Sequence, residues 1–166
     1  MPWLPDDFAH PLRAGLATGH HLRPMSDADT GIDFPAVMGS RERLWTIYGE
    51  AWGWPPAHMT LEQDRADLAR HAREIEAHES FLYGLFADDE AELLGCVYVD
   101  PPEKAGDVGA EVSWWVVDRL VGSDVERELD RFVPRWLAQE WPLPAPPRLV
   151  GWDLSWAEWN ALPPRT

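Results

Sequence analysis

The residues best placed to do chemistry lie at a corner between a strand and a helix. Gly109-Ala110-Glu111-Val112-Ser113-Trp114-Trp115-Val116-Val117 has strand character. Asp118-Arg119-Leu120-Val121-Gly122-Ser123 follows as a glycine-bearing turn, and an amphipathic helix is predicted over 124–140. The first amides of a helix have no partner within it, and they attract anions. The spacing therefore predicts an anion seat of the phosphate-binding kind. Acid stands in the same place, because Asp124 and Glu126 open the helix. An Asp at a helix start favours the helix itself by capping and dipole, yet competes with a bound phosphate for the same N–H groups. Two like charges ~4 Å apart repel by about 1 kcal/mol in water, and by several times that where water is partly excluded.

Other reactive types are poorly spaced. His20 and His21 are adjacent and would face opposite sides of a strand. His71 and His78 are separated by roughly 10 Å of helical rise, too far to share a metal. Neither H-E-x-x-H nor C-x-x-C occurs, and Ser123 lacks a G-x-S-x-G setting. No metal site is expected. Asp88-Asp89-Glu90 has the character of a solvated loop tip.

The elements that must position the corner follow from periodicity. A strand is predicted over 20–25, followed by caps at Ser26 and Asp27 and a helical pattern interrupted by Pro35. Leu44, Ile47, Tyr48 and Ala51 predict a helix over 41–52, stopped by Gly53-Trp54-Pro55-Pro56. Thr60 and Gln63 form a capping box for a helix over 60–78 with a stripe of Leu61, Leu68, Ala72 and Ile75. Strands are expected over 80–87 and 92–99, joined by a short hairpin loop. In the helix over 124–140, Val125, Leu129, Phe132, Val133, Trp136 and Leu137 form one buried face, with a kink expected at Pro134. A stiff linker over 142–147, a strand over 148–152 and a short aromatic tail complete the order. Consecutive hairpin strands imply an antiparallel sheet, and the last helix implies a locally parallel final pair. Residues 1–17 are expected as an extended arm and 18–166 as one domain.

The chain has 166 residues, 45% hydrophobic, with 11 Trp, which excludes a disordered protein. Its 14 basic and 29 acidic residues give a net charge of −15. That field repels nucleic acid and anionic membranes and attracts cations. No membrane span and no secretory leader are expected. Cys96 is the single cysteine. Together these features predict a cytoplasmic protein.

The order of elements, with the opening Leu22-Arg23-Pro24-Met25-Ser26-Asp27-Ala28-Asp29, resembles the GCN5-related N-acetyltransferase superfamily over roughly residues 18–155. The resemblance implies an α/β fold with a mixed, mostly antiparallel sheet flanked by helices. It implies an acetyl-CoA site at a Q/R-x-x-G-x-G/A turn, onto which Arg119, Val121, Gly122 and Ser123 fall, with Asp124 in place of the last Gly or Ala. In a shifted register both Asp124 and Glu126 stand at glycine positions. The backbone of Trp115, Val116 and Val117 would bind the acyl carbonyl if the strand splays from its neighbour. Glu111 would be the general base for a cationic amine, or else a salt-bridged strand residue. Trp45, Tyr48, Glu50 and Trp52, with Trp54, would form the acceptor pocket, or else serve as core or interface aromatics. The family's late tyrosine acid has no counterpart, since no Tyr follows Tyr98, and the end of the chain is short. The implied activity is acyl-CoA-dependent transfer to a small or peptidic amine. The alternative is a non-catalytic binding module that has lost acetyl-CoA. A binder of sugars or aromatic ligands is a third class. A homodimer would cover a sheet edge or apolar patch left by the short end.

Overall fold

The computed structural model describes residues 2–166. Six strands form one sheet in sequence order: β1 Ala14–Gly15, β2 His21–Pro24, β3 Phe81–Phe86, β4 Gly95–Asp100, β5 Glu111–Val116 and β6 Arg148–Leu149. The first five pair antiparallel and β5–β6 is parallel. The helices are α1 Thr30–Gly39, α2 Arg41–Trp52, α3 Leu61–Glu76, α4 Asp124–Glu140 and α5 Trp156–Ala161. This is the mixed, mostly antiparallel sheet flanked by helices that the sequence implied.

Capping side chains set the helix starts. Thr60 and Gln63 close a capping box on α3, Ser155 and Glu158 close one on α5, and Ser123 accepts from the Glu126 amide at the start of α4. Gly53, at φ 61°, ends α2 in the left-handed conformation. The expected interruption at Pro35 does not occur, and α4 spans its full expected length with Pro134 inside it. Both α1 and α4 run on through Pro35 and Pro134. An interior proline costs about 3 kcal/mol. In α4 that cost is outweighed by burial of Phe132, Val133, Trp136 and Leu137, at about 1.5–3 kcal/mol for each large side chain.

Alternation along β5 divides the sheet into two faces. Trp114 donates through Nε1 to Asp130 of α4 (2.8 Å), so Val112, Trp114 and Val116 face α4. Tyr83, in register with Val97 and Trp114, meets Trp136 edge to face on that side. Glu111, Ser113 and Trp115 face the other way, toward α1, α2 and α3. Tyr48 of α2 reaches Ser113 Oγ there (3.2 Å). Every residue of β3 is buried, because both faces are covered.

The N-terminal segment is tied down. Trp3 donates to the His78 carbonyl (2.9 Å), Leu4 is buried, and Tyr83 donates to the Pro11 carbonyl (2.7 Å). Its last residues form β1. The β3–β4 connection is longer than expected, and β4 begins at Gly95, not at 92.

Leu129 is fully buried where α4 meets the sheet. Leu129→Ala should cost about 2–5 kcal/mol in urea unfolding, whereas Leu12→Ala, at a residue 73% exposed, should change stability by less than ~0.5 kcal/mol.

Candidate functional site

The corner before α4 is well formed and already engaged. Gly122, at φ 77°, bends the chain into the helix. Its amide donates to Glu126 Oε1 (3.0 Å). The amides of Leu120, Val121 and Ser123 donate to the carbonyls of Val117, Asp118 and Leu120 (2.9, 3.2 and 3.0 Å). The Asp118 amide donates to Ser40 Oγ (2.9 Å). Arg119 pairs with Glu92 (2.9 Å) across exposed surface. Asp124 was the expected competitor for an anion, but it is exposed and pairs with Arg127 (2.5 Å). The carboxylate that occupies the seat belongs to Glu126.

The strand edge beside this corner is likewise occupied. β6 pairs with β5 only at Glu111↔Arg148 and Val112↔Leu149 and then turns away. The Ala110 and Val112 carbonyls accept from Arg148 and Val150 on the β6 side (2.8 and 2.9 Å). Alternation turns the main-chain groups of Trp114 and Val116 the same way. Of the three residues expected to bind an acyl carbonyl, only Val116 presents its backbone to the opening. Trp115 is in register with Cys96, and the Val117 amide donates to the Leu94 carbonyl (2.9 Å). Arg43 of α2 covers the opening, donating to the Val116 carbonyl and to Asp118 (2.6 Å). A groove of about 430 Å³ runs between α1 and residues 117–119. Its one cation, Arg119, is the one paired with Glu92.

Glu111 is 6% exposed. Its Oε1 accepts from Arg148 Nη1 (2.8 Å) and from the Lys104 amide (3.1 Å). The void beside it, walled by Trp156 and Trp159, is about 20 Å³, roughly the room of one water. The residue thus sits in the ion-pair arrangement weighed from sequence.

The open space lies elsewhere on the same sheet face. A cavity of about 450 Å³ is enclosed by β4, α1, α3 and the segment after α2, within the range of small-ligand sites. Trp52, Trp54, Tyr98 and Trp115 supply aromatic walls. Seven carboxyl groups line it, at Asp33, Asp64, Asp67, Glu74, Glu79, Asp100 and Glu103, against Arg70 and His71. Arg70 is spent on Asp67 (2.5 Å) and Glu74 (2.7 Å). Burial, with Glu103, Glu74 and Glu111 nearby, pushes the Asp100 carboxyl up to about 8. Burial and the neighbouring Asp64 push Asp33 well above the usual carboxylate range. Burial also holds the His71 imidazole below its ordinary value. Carboxyl groups and aromatic faces together are the chemistry that can receive an organic cation.

The expected acceptor residues divide. Trp52 lines the cavity. Tyr48 is fully buried behind it, stacked on Trp52 at 4.5 Å. Trp45 and Glu50 do not line it, and Trp45 lies beneath the Arg41 guanidinium instead. The acidic lining was missed, although a signal existed. Asp64, Asp67, His71 and Glu74 recur at i, i+3, i+7 and i+10 of α3, which is one helix face beside the apolar stripe. Among the described residues no group of three or more His, Cys, Asp or Glu has metal-holding geometry, and no helix is long and apolar enough to cross a membrane.

No family model and no curated protein matches the chain. Solved structures do. The ribosomal-protein-S5-alanine acetyltransferase of Vibrio fischeri superposes with a TM-score of 0.58 at 14% identity, over 76% of this chain and 67% of that one. The ribosomal L7/L12 alpha-N-protein acetyltransferase in complex with coenzyme A gives 0.56 at 14%, over 74% and 68%. The spermidine N-acetyltransferase of Vibrio cholerae, in complex with CoA and spermine, gives 0.51 at 11%, over 72% and 63%. The fold of this chain is that of the GCN5-related N-acetyltransferases.

The raised Asp100 value has a measurable consequence. A carboxyl whose folded value exceeds its unfolded value, about 3.9, costs nothing while protonated in both states. It destabilises progressively as pH rises from about 4 toward about 8. Asp100→Asn should therefore raise the melting temperature more at pH 9 than at pH 5; equal gains at both would contradict the assignment.

Proposed function

We propose that this chain is a receptor for a small organic cation bearing amine groups, built on an acetyltransferase scaffold whose nucleotide seat is filled by its own side chains. The observation that carries this reading is the Glu126 carboxylate on the Gly122 amide (3.0 Å), beside turn amides that are already bonded. A diphosphate needs those donors free. It would also meet the Glu126 carboxylate at the surface, at about 1 kcal/mol of repulsion in water for unit charges ~4 Å apart. These contacts oppose acetyl-CoA at the 120–123 turn, while the Asp124 and Val125 amides at the start of α4 have no partner among the described residues.

The receptor itself needs only the acidic, aromatic cavity. An ammonium group entering it exchanges water for carboxylate oxygens and ring faces, and the net charge of −15 raises the local concentration of cations. Small amines and amine-bearing peptide ends share this chemistry.

A second reading keeps the transferase: acyl-CoA-dependent transfer to an amine, with Glu111 as base and the 119–123 turn holding the cofactor. The divergence of β6 from β5 after Val112 favours it. It requires Arg43, Ser40 and Glu126 to leave their present bonds.

Calorimetric titration separates the two. Heat is expected with 1,4-diaminobutane and none with acetyl-CoA at millimolar concentration. Micromolar acetyl-CoA binding would overturn the receptor reading in favour of the transferase, and no heat with any amine would remove its ligand.

A further inference from the structure

The cavity contains one pair of groups that the receptor reading alone does not explain. Asp33 of α1 and Asp64 of α3 are 4% and 2% exposed, and both line the cavity. Burial and the charge of Asp64 both oppose ionisation of Asp33. Two like acids buried on one wall without a cation are penalised for ionising together, which favours a proton on one of them. Neither group has a basic partner among the described residues. Asp64 Oδ2 is buried without any hydrogen-bond partner, an unfavourable arrangement for a polar atom.

We infer that the Asp33–Asp64 pair is the seat for an ammonium group, and that the incoming cation takes the place of a proton that burial keeps on the pair. The inference rests on the cation-receptor reading and adds the position and the proton exchange. In the free protein the pair carries one proton and one negative charge. An ammonium brings three N–H donors and a positive charge, which satisfies Asp64 Oδ2 and makes the second ionisation favourable. The displaced proton passes to solvent; no covalent bond changes.

The surroundings supply no competing cation. Asp29, in the turn before α1, is held by Arg23 (2.9 Å), and Asp67, one turn along α3, is held by Arg70 (2.5 Å). His71 on the same helix lies against Asp67 and Glu74. Cys96 and Tyr98 of β4 line the cavity as neutral groups, both pushed well above their ordinary values by burial. Burial and Asp64 likewise raise Asp33, as expected of a carboxyl that keeps its proton until a cation arrives.

The test is calorimetry at pH 7 with 1,4-diaminobutane, whose amines are fully protonated there, in phosphate and in Tris. The difference in observed heat between buffers of unlike ionisation enthalpy counts the protons exchanged. The expected result is release of about one proton per diamine. Asp33→Asn keeps a donor to Asp64 and removes the exchangeable proton, so release should fall to near zero while binding survives. The double variant Asp33→Asn/Asp64→Asn should lose affinity roughly tenfold or more, with a circular dichroism spectrum unchanged from the parent. Binding by the native protein without buffer dependence would overturn the exchange and leave the receptor reading standing. Unchanged affinity in the folded double variant would overturn the seat. Absence of any diamine binding overturns both.

Discussion

A carboxylate bound to the amide of Gly122 is the contact on which the proposed reading of this fold depends. The corner between a strand and a helix offers N–H groups because geometry leaves them without partners, and at this exposed corner water or a side chain can accept from them. In this chain Glu126, one turn into α4, supplies the anion from within. The helix gains from it, since a negative charge near its start complements the dipole. Ser40 and Arg43 complete the arrangement from α2 and the residue before it, binding the Asp118 amide and the Val116 carbonyl. On the proposed reading, these intramolecular contacts close the corner while the strands and helices stay in place.

The opposite condition holds on the α1–α3 side of the sheet. There the carboxyl groups are in excess and the cations are few. Burial penalises charge, so Asp33 and Asp100 are held toward their neutral forms. Such groups oppose folding as the solution becomes more alkaline. They are carried by a core that includes Leu82, Tyr98 and Trp115 on this face and Trp136 and Leu137 on the other. A seat that is electrostatically unsatisfied when empty is one whose occupation by a cation returns free energy to the folded state.

Much of the fold was legible because its signals are local. The Thr60–Gln63 box, the Gly53 stop and the six-residue buried face of α4 each name an element from a few side chains, and the order of elements then restricts the topology. What escaped is set by contacts distant in sequence. That Trp115 and Val117 turn their main chain toward β4 follows from pairing with Cys96 and Leu94, a register the β5 sequence does not contain. Glu111 illustrates the same limit, for its partner Arg148 lies 37 residues away. The acidic cavity was half visible, as a face of α3, but Asp33 and Asp100 join that face only through tertiary packing.

The two outer strands are the shortest in the sheet. β1 and β6 contribute two residues each, and prolines at 11, 146 and 147 stand close by. A proline cannot donate to a ladder, and a two-residue strand offers a passing extended chain almost no register to copy. The protein therefore gives a foreign strand little to grow on. A chain with 11 Trp and a sheet buried on both faces is in this way guarded against fibrillar stacking by the brevity of its margins.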